Sequence, residues 1–311
     1  MVHTVTLNPA MDKIFHVTAI EKGKTLRIQR CEETIGGKGT HVSINLALLG
    51  MKNCAHGVAF GKIGKRIISI LRDYGVYTEF CYWNDNESRT NYNILDPTGE
   101  NLLLAERGIT LSEGQVQTFL SRFLACVQDG DILVLSGDVS NCGDIDVYRA
   151  ILQMVKSLNV RICIDADGRV LKRYWCEPLC FVKPNVFELS ELCGCRIEEN
   201  TNEVIQALRS LEESQIETIA VTMGKQGSVV KHRGEIYCAG ILNAQSVNAV
   251  GCGDAFTSGF VYGLEKGLPI EQTIQTATAL AGICAESYLC AGFDLSRTDE
   301  LAQEVTVERV Y

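Results

Sequence analysis

Two glycine clusters in this 311-residue chain run into apolar stretches of helical period. Glycine at a helix start lets backbone N–H groups approach an anion. In the second cluster, Asn248-Ala249-Val250-Gly251-Cys252-Gly253-Asp254, Gly251 and Gly253 bracket a turn, and a helix is predicted from there through Leu264. The N–H groups of Cys252, Gly253 and Asp254 would form an anion-binding nest, with the Asp254 carboxylate beside it. A carboxylate so placed can take the proton of a hydroxyl attacking a phosphoryl group. Phosphoryl transfer asks for little beyond positioning, charge neutralisation and such a base. The plainer role for Asp254 is helix capping.

The first cluster, Gly36-Gly37-Lys38-Gly39-Thr40-His41-Val42, opens a helix that closes at Gly50, and Lys38 adds a cation. A flexible turn into a helix is its plainer reading. In Lys183-Pro184-Asn185-Val186-Phe187-Glu188-Leu189, Asn185 and Glu188 are three apart at a helix start and share one face. Oxygens at that spacing could hold magnesium directly or through water, or Glu188 could simply favour the helix dipole. Gly-x-x-x-x-Gly-Lys-Ser/Thr and Gly-x-Gly-x-x-Gly after a strand are both missing, which disfavours a P-loop and a dinucleotide fold of the usual type.

These segments must sit on a scaffold. Asp131–Gly137, Val160–Asp165 and Thr218–Gly224 read as buried strands, and Asp146–Leu158 and Asn202–Ser214 as helices. Continuous apolar strands alternating with helices predict one doubly wound α/β domain over residues 1–311, its mainly parallel sheet covered by helices on both faces. Ile14–Ile20, Leu26–Ile35, Arg89–Leu95 and Asn101–Ala105 break the alternation. The last two are joined by Asp96-Pro97-Thr98-Gly99, which has hairpin chemistry. Together they predict a small β-sheet lid from about 13–35 and 89–106, although two unrelated surface excursions would look the same.

Lys and Arg number 29 against 38 Asp and Glu, a net charge of −9, so nucleic acid and anionic membranes are expected to be repelled. An anionic substrate would need local cations. The start of the chain lacks signal-peptide character, and no apolar run approaches a membrane span, so a cytoplasmic protein is expected. Fourteen scattered Cys then read as free thiols rather than a zinc site.

The segments in combination resemble the ribokinase-like carbohydrate kinases, closest to the branch of 1-phosphofructokinase and tagatose-6-phosphate kinase. The resemblance rests on Thr6-Leu7-Asn8-Pro9-Ala10-Met11-Asp12, Gly36 to Val42, Ser88-Arg89-Thr90-Asn91, Ser136-Gly137, Lys183-Pro184-Asn185 with Glu188-Leu189, Thr222-Met223-Gly224 with Gly227, and Val250 to Asp254, all in family order. It implies ATP and Mg2+, leaves a monovalent cation open, and implies a lid often used for dimerisation. Asp254 would be the catalytic base, with Gly251, Cys252 and Gly253 as the anion hole. Asp12 and Asn91 would meet the sugar, with Gly37 and Gly39 pressed against it and His41 facing it. Lys38 and Arg89 would hold the phosphate already on the substrate. Lys183, Asn185, Thr222, Gly224, Gly227, Gly251 and Gly253 would line the nucleotide, and Asn185 and Glu188 would organise magnesium through water.

Four departures bear on the sugar. His41 stands where the family usually has Asn, and Asn93 where the branch commonly has Lys. Asp138-Val139-Ser140 replaces the usual Ser-Leu-Pro, and Cys252 the usual Ala. The resemblance thus implies an ATP-dependent kinase of a phosphorylated ketohexose, fructose 1-phosphate first and tagatose 6-phosphate next. A kinase of an unphosphorylated sugar or nucleoside, and a non-catalytic sugar-phosphate sensor, are the alternatives.

Overall fold

The computed structural model describes residues 1–98, 101–211, 214–240, 247 and 249–310; Gly99 and Asn248 of the motifs above lie outside them. Among the described residues the larger sheet has ten strands. Its order is Val307–Arg309, Glu235–Ala239, Ser228–His232, Thr218–Thr222, Phe181–Val182, Arg161–Asp165, Ile132–Ser136, Val2–Thr6, Asn53–Phe60 and Tyr77–Trp83. The seven strands from Thr218–Thr222 to Tyr77–Trp83 are parallel, and the other three add antiparallel at one edge.

Alternation along a strand sends neighbouring side chains to opposite faces. In Ile132–Ser136, Leu133 and Leu135 enter one core, while Ile132 and Val134 enter the other. Phe119, Tyr148, Leu171, Leu189 and Leu208, all from helices, close the first face. Leu46, Phe256, Phe260 and Ile274 close the second, from the helices Lys38–Leu48, Cys252–Lys266 and Ile270–Ala285. Both faces are covered, which is why these strands read as unbroken apolar runs.

The lid is a four-stranded sheet in the order Arg30–Gly36, Ala10–His16, Arg89–Leu95, Asn101–Ala105. The two sequence pieces join where Ala10–His16 runs parallel to Arg89–Leu95, pairing Asp12 with Asn91. The second pair of strands lies where the sequence predicts it. The first pair is shifted: the strand starts at Ala10 rather than Ile14, because its whole length is needed to pair with both neighbours. It stops at His16 because the exposed Glu21–Thr25 stretch, turning at Gly23 with φ 76°, has no ladder to join. Leu102 and Leu104 leave apolar side chains exposed on one face of the lid, while Leu103 turns to the opposite face.

Beneath the central strands, His3, His56 and Asp131 form a buried chain. The Asp131 carboxylate can only accept, so His3 Nε2–H donates to it at 3.0 Å, and His56 Nε2–H then donates to His3 Nδ1 at 2.8 Å. Cys54 brings a thiol within 4.8 Å of both rings, but the chain already occupies three of the four ring nitrogens. Burial, then the charge of His3, pushes the His56 pKa down to about 3. Unfolded histidine titrates near 6.5. The His56 contribution to stability is therefore fully present above about pH 6.5 and lost as pH falls toward its folded value, by about 1.4 kcal/mol per pH unit. Denaturant melts between neutral pH and about pH 5 should show this slope, and His56→Gln should flatten it. Equal slopes in the two proteins would refute the assignment.

Candidate active site

In a doubly wound sheet, ligands sit outside the carboxyl ends of the strands where the strand order reverses. Here the order reverses between Val2–Thr6 and Ile132–Ser136. Thr6 and Asn8 lie at the end of the first strand, Gly137 and Asp138 after the second, Asp165 and Lys183 beyond their neighbours, and Thr222 at the last parallel strand. All but Asp165 line a cavity of about 1160 Å³, roofed by the lid residues Asp12, Arg89 and Asn91 and floored by the Cys252–Lys266 helix. That exceeds the span of most single-ligand pockets and suits two ligands placed end to end.

The floor helix is held firmly. Phe260 stacks on Phe181 with ring centroids 3.9 Å apart, and Gly259 and Gly263 let the helix lie against Ile270–Ala285. The Thr257 hydroxyl donates to Asp165 Oδ2 at 2.9 Å. Gly251, left-handed at φ 88°, precedes the helix, and no side chain caps it. Its first-turn N–H groups thus come before the first helical hydrogen bond, from Ala255 N–H to Gly251 C=O. Gly251, Cys252, Gly253 and Asp254 all line the cavity. Lys183 stands over this turn, because a Cβ on Gly253 would lie 3.1 Å from its Nζ.

Lys38 Nζ donates to Asp165 Oδ1 at 2.9 Å and lies 4.0 Å from Glu188 Oε1, with Lys183 Nζ 3.5 Å from the same Asp165 oxygen. Burial would raise the Asp165 pKa, but the two ammoniums and Thr257 outweigh it and hold the carboxyl below its usual range. Burial dominates for Glu188, whose pKa is raised. Asn185 and Glu188 form a reciprocal capping box, each side chain 2.8 Å from the other's backbone N–H. The helix-start reading of this pair is therefore correct as geometry. One oxygen still fits a hard cation: Glu188 lines the cavity and its Oε1 is outside the box, a donor that magnesium takes through water.

On the lid side, Asn91 Nδ2 donates to Asp12 Oδ1 at 2.8 Å, and Arg89 spends two N–H groups on the carbonyls of Asn8 and Glu106, at 2.9 and 3.1 Å. Burial raises the pKa of Asp12. The side-chain oxygens of Thr6, Asn91, Asn93, Ser228 and Thr278 are buried without a partner among the described residues, and all five residues line the cavity. Buried polar atoms of this kind are costly unless a ligand or water meets them. At the other end, Asn185, Thr222, Gly224 and Gly227 line the wall, and Gly227, at φ 85°, lies hard against the Ala239 carbonyl, so no side chain fits there.

Three expectations need correction. Lys38, expected with Arg89 on the substrate's phosphate, reaches Asp165 at 2.9 Å and Glu188 at 4.0 Å instead. His41 lines the cavity, yet its Nδ1 is 2.6 Å from Asp254 Oδ2 and its Nε2 is 2.8 Å from the Ile35 carbonyl, so neither nitrogen is left for a sugar. Gly39 is packed against Thr6 and the Val5 carbonyl of the first strand, two positions round the helix from Gly37, which does line the cavity. Asp165 was not singled out as a site residue. The only available signal was an acid ending a buried apolar run, at the strand end where such sheets bind ligands. Asp138, seen in the sequence as added negative charge, accepts from Asn8 and Ser140 and stays ionised near Arg89.

A doubly wound sheet with a β lid, and a carboxylate at an uncapped helix start with Lys183 over the same turn, define a carbohydrate kinase scaffold. Residues 5–296 match the pfkB family of carbohydrate kinases, and the chain belongs to that family. It is an ATP-dependent carbohydrate kinase. It is similar to the 1-phosphofructokinase of Bacillus subtilis, 30% identical over 309 residues covering 99% of this chain and 98% of that protein. It is 26% identical to a tagatose-6-phosphate kinase of Staphylococcus epidermidis over 312 residues, covering 100% of both. Phosphofructokinase-2 from Escherichia coli, in complex with substrates and products, shares the fold with a TM-score of 0.89 at 21% identity, covering 97% of this chain and 98% of that one. No helix among the described residues is long and apolar enough to cross a membrane.

Proposed function

We propose that the chain moves the γ-phosphoryl group of ATP onto a hydroxyl of a phosphorylated ketohexose, fructose 1-phosphate first and tagatose 6-phosphate next. The observation that carries this reading is the separation of cations. Lys38 and Lys183 stand with Asp165 near the floor helix, while Arg89 stands apart at the lid, on the carbonyls of Asn8 and Glu106. One cationic end suits the transferred phosphoryl group and the other a phosphate already on the sugar. The names of the two similar enzymes support the same substrate class.

In this reading Asp254 Oδ1 takes the proton of the attacking hydroxyl, and the first-turn N–H groups from Gly251 to Gly253 receive the transferred group. Asp12, with Asn91, holds sugar hydroxyls. Asn185, Thr222, Gly224 and Gly227 line the nucleotide. Glu188, with Asn185 beside it, would organise Mg2+ through water, and when bound it would neutralise phosphate charge. Exposed Leu102 and Leu104, on the lid face away from the cavity, support a homodimer formed through the lid.

Arg89→Ala is expected to raise KM for the phosphorylated ketohexose by about 10–150-fold, the scale of one charged hydrogen bond, with far less effect on the unphosphorylated sugar. ADP release over a panel of sugars and sugar phosphates measures this. A higher kcat/KM for free fructose or a nucleoside, unaffected by Arg89→Ala, would establish the alternative, a kinase of an unphosphorylated acceptor.

A further inference from the structure

The contact between His41 and Asp254 has a consequence for the proposed chemistry. His41 is 4% exposed and sits in the first turns of the Lys38–Leu48 helix, facing the start of the Cys252–Lys266 helix. A backbone carbonyl can only accept, so Nε2, 2.8 Å from the Ile35 oxygen, carries a hydrogen. Nδ1 is 2.6 Å from Asp254 Oδ2, and an ionised carboxylate also only accepts. With Asp254 ionised, both ring nitrogens must donate, and the ring is an imidazolium. Removing that proton would set one lone pair against another in a buried site.

We propose that His41 and Asp254 share one proton as a unit, in which the His41 imidazolium is the positioning residue for the base. This rests on the reading of Asp254 as general base. Oδ2 is committed to His41, so Oδ1 is the oxygen turned to the acceptor hydroxyl. In the transfer, the hydroxyl oxygen forms its bond to the γ-phosphorus as the bond from phosphorus to the ADP oxygen breaks. The hydroxyl proton passes to Asp254 Oδ1, and His41 keeps its own. A neutral ring could not hold both the Ile35 carbonyl and the carboxylate, and Oδ1 would lose its orientation.

The charged groups around the pair agree with this state. Burial works against the charged ring, but the hydrogen bond and charge of Asp254, then the charge of Asp12 from the lid and the Ile35 carbonyl, hold the His41 pKa above its usual value. Arg89 acts on Asp12 through its charge, and Lys38 feels Asp254 from one turn earlier in the same helix as His41. The alkaline limb of kcat would therefore follow loss of the His41 proton, above the pH at which an ordinary histidine titrates. His41 also blocks a sugar contact at its own position, since both nitrogens are spent.

The test has two readouts. Nitrogen-15 NMR of the five histidine rings, assigned with His41→Gln, reports protonation in the free full-length protein. We expect the His41 ring to be doubly protonated through the neutral range and to lose its proton at lower pH in Asp254→Asn. A neutral ring at neutral pH, or a titration unmoved by Asp254→Asn, overturns the proposal. In kinetics, His41→Ala should lower kcat about 10–150-fold with the ATP Kd within about twofold, while His41→Asn should recover part of the rate and lack the alkaline limb. An alkaline limb that persists in His41→Asn also overturns it. An imidazolium ring in a protein that phosphorylates no sugar would instead sink the functional reading and leave the shared proton standing.

Discussion

Asp254→Asn is expected to lower kcat by about 10²–10⁴-fold while leaving the ATP Kd within about threefold. The change removes the proton acceptor and little else. Asn keeps the shape of the side chain, and its carbonyl oxygen can still accept from His41 Nδ1. Asp254 sits at the third position of the Cys252–Lys266 helix, with that helix tied to Asp165 through Thr257 and to the sheet through Phe260 on Phe181. None of those contacts involves the carboxylate, so the anion-holding turn should survive. The Ser258 hydroxyl, which donates to the Asp254 carbonyl at 2.7 Å, is also untouched. Steady-state kinetics with nucleotide titration by calorimetry separates the two effects. Near-normal turnover would mean that the transfer needs no base here, as a loose phosphoryl transition state permits, and Asp254 would be reduced to a helix-start acid.

What was legible in the sequence is what local pattern encodes. The lid strands Arg89–Leu95 and Asn101–Ala105 alternate around a turn-forming tetrapeptide, and the Gly251–Asp254 turn announces its helix. Distances along the chain set the limit. The His41–Asp254 contact joins residues 213 apart, and the Lys38–Asp165 contact joins residues 127 apart. No periodicity connects such pairs; they meet because the parallel register brings strand ends and helix starts to one edge. The direction of Lys38 illustrates this. Seen in its own segment it is a cation beside glycines, and only the placement of Asp165 at the end of the Arg161–Asp165 strand turns it inward. Gly39 shows a related limit: it lies inside the helix that Gly37 caps, and its close packing on the first strand is visible only once that strand has a place.

The second large effect is expected at Gly251. Its backbone is left-handed at φ 88°, and a Cβ there would lie 2.5 Å from the Cys290 carbonyl oxygen and 2.8 Å from its Cα. These are backbone atoms, so no side chain can swing aside to make room. Gly251→Ala must therefore shift the turn itself, and with it the N–H groups from Gly251 to Gly253 that face the transferred group in the proposed mechanism. Loss of one well-aimed donor to developing charge typically costs about 10²–10³-fold in kcat, and that is the fall expected here. The left-handed strain alone costs about 1–2 kcal/mol of stability, so a control must remove the strain effect from the comparison. Gly267 provides it at the other end of the same helix: it is also left-handed, at φ 66°, but nothing lies within 4 Å of its added Cβ. Gly267→Ala should lower the melting temperature and leave kcat within about twofold. If Gly251→Ala lowers the melting temperature as Gly267→Ala does and turnover stays normal in both, the turn at Gly251 is a structural joint only. The transferred phosphoryl group would then have to rest on Lys38 and Lys183 without the helix start.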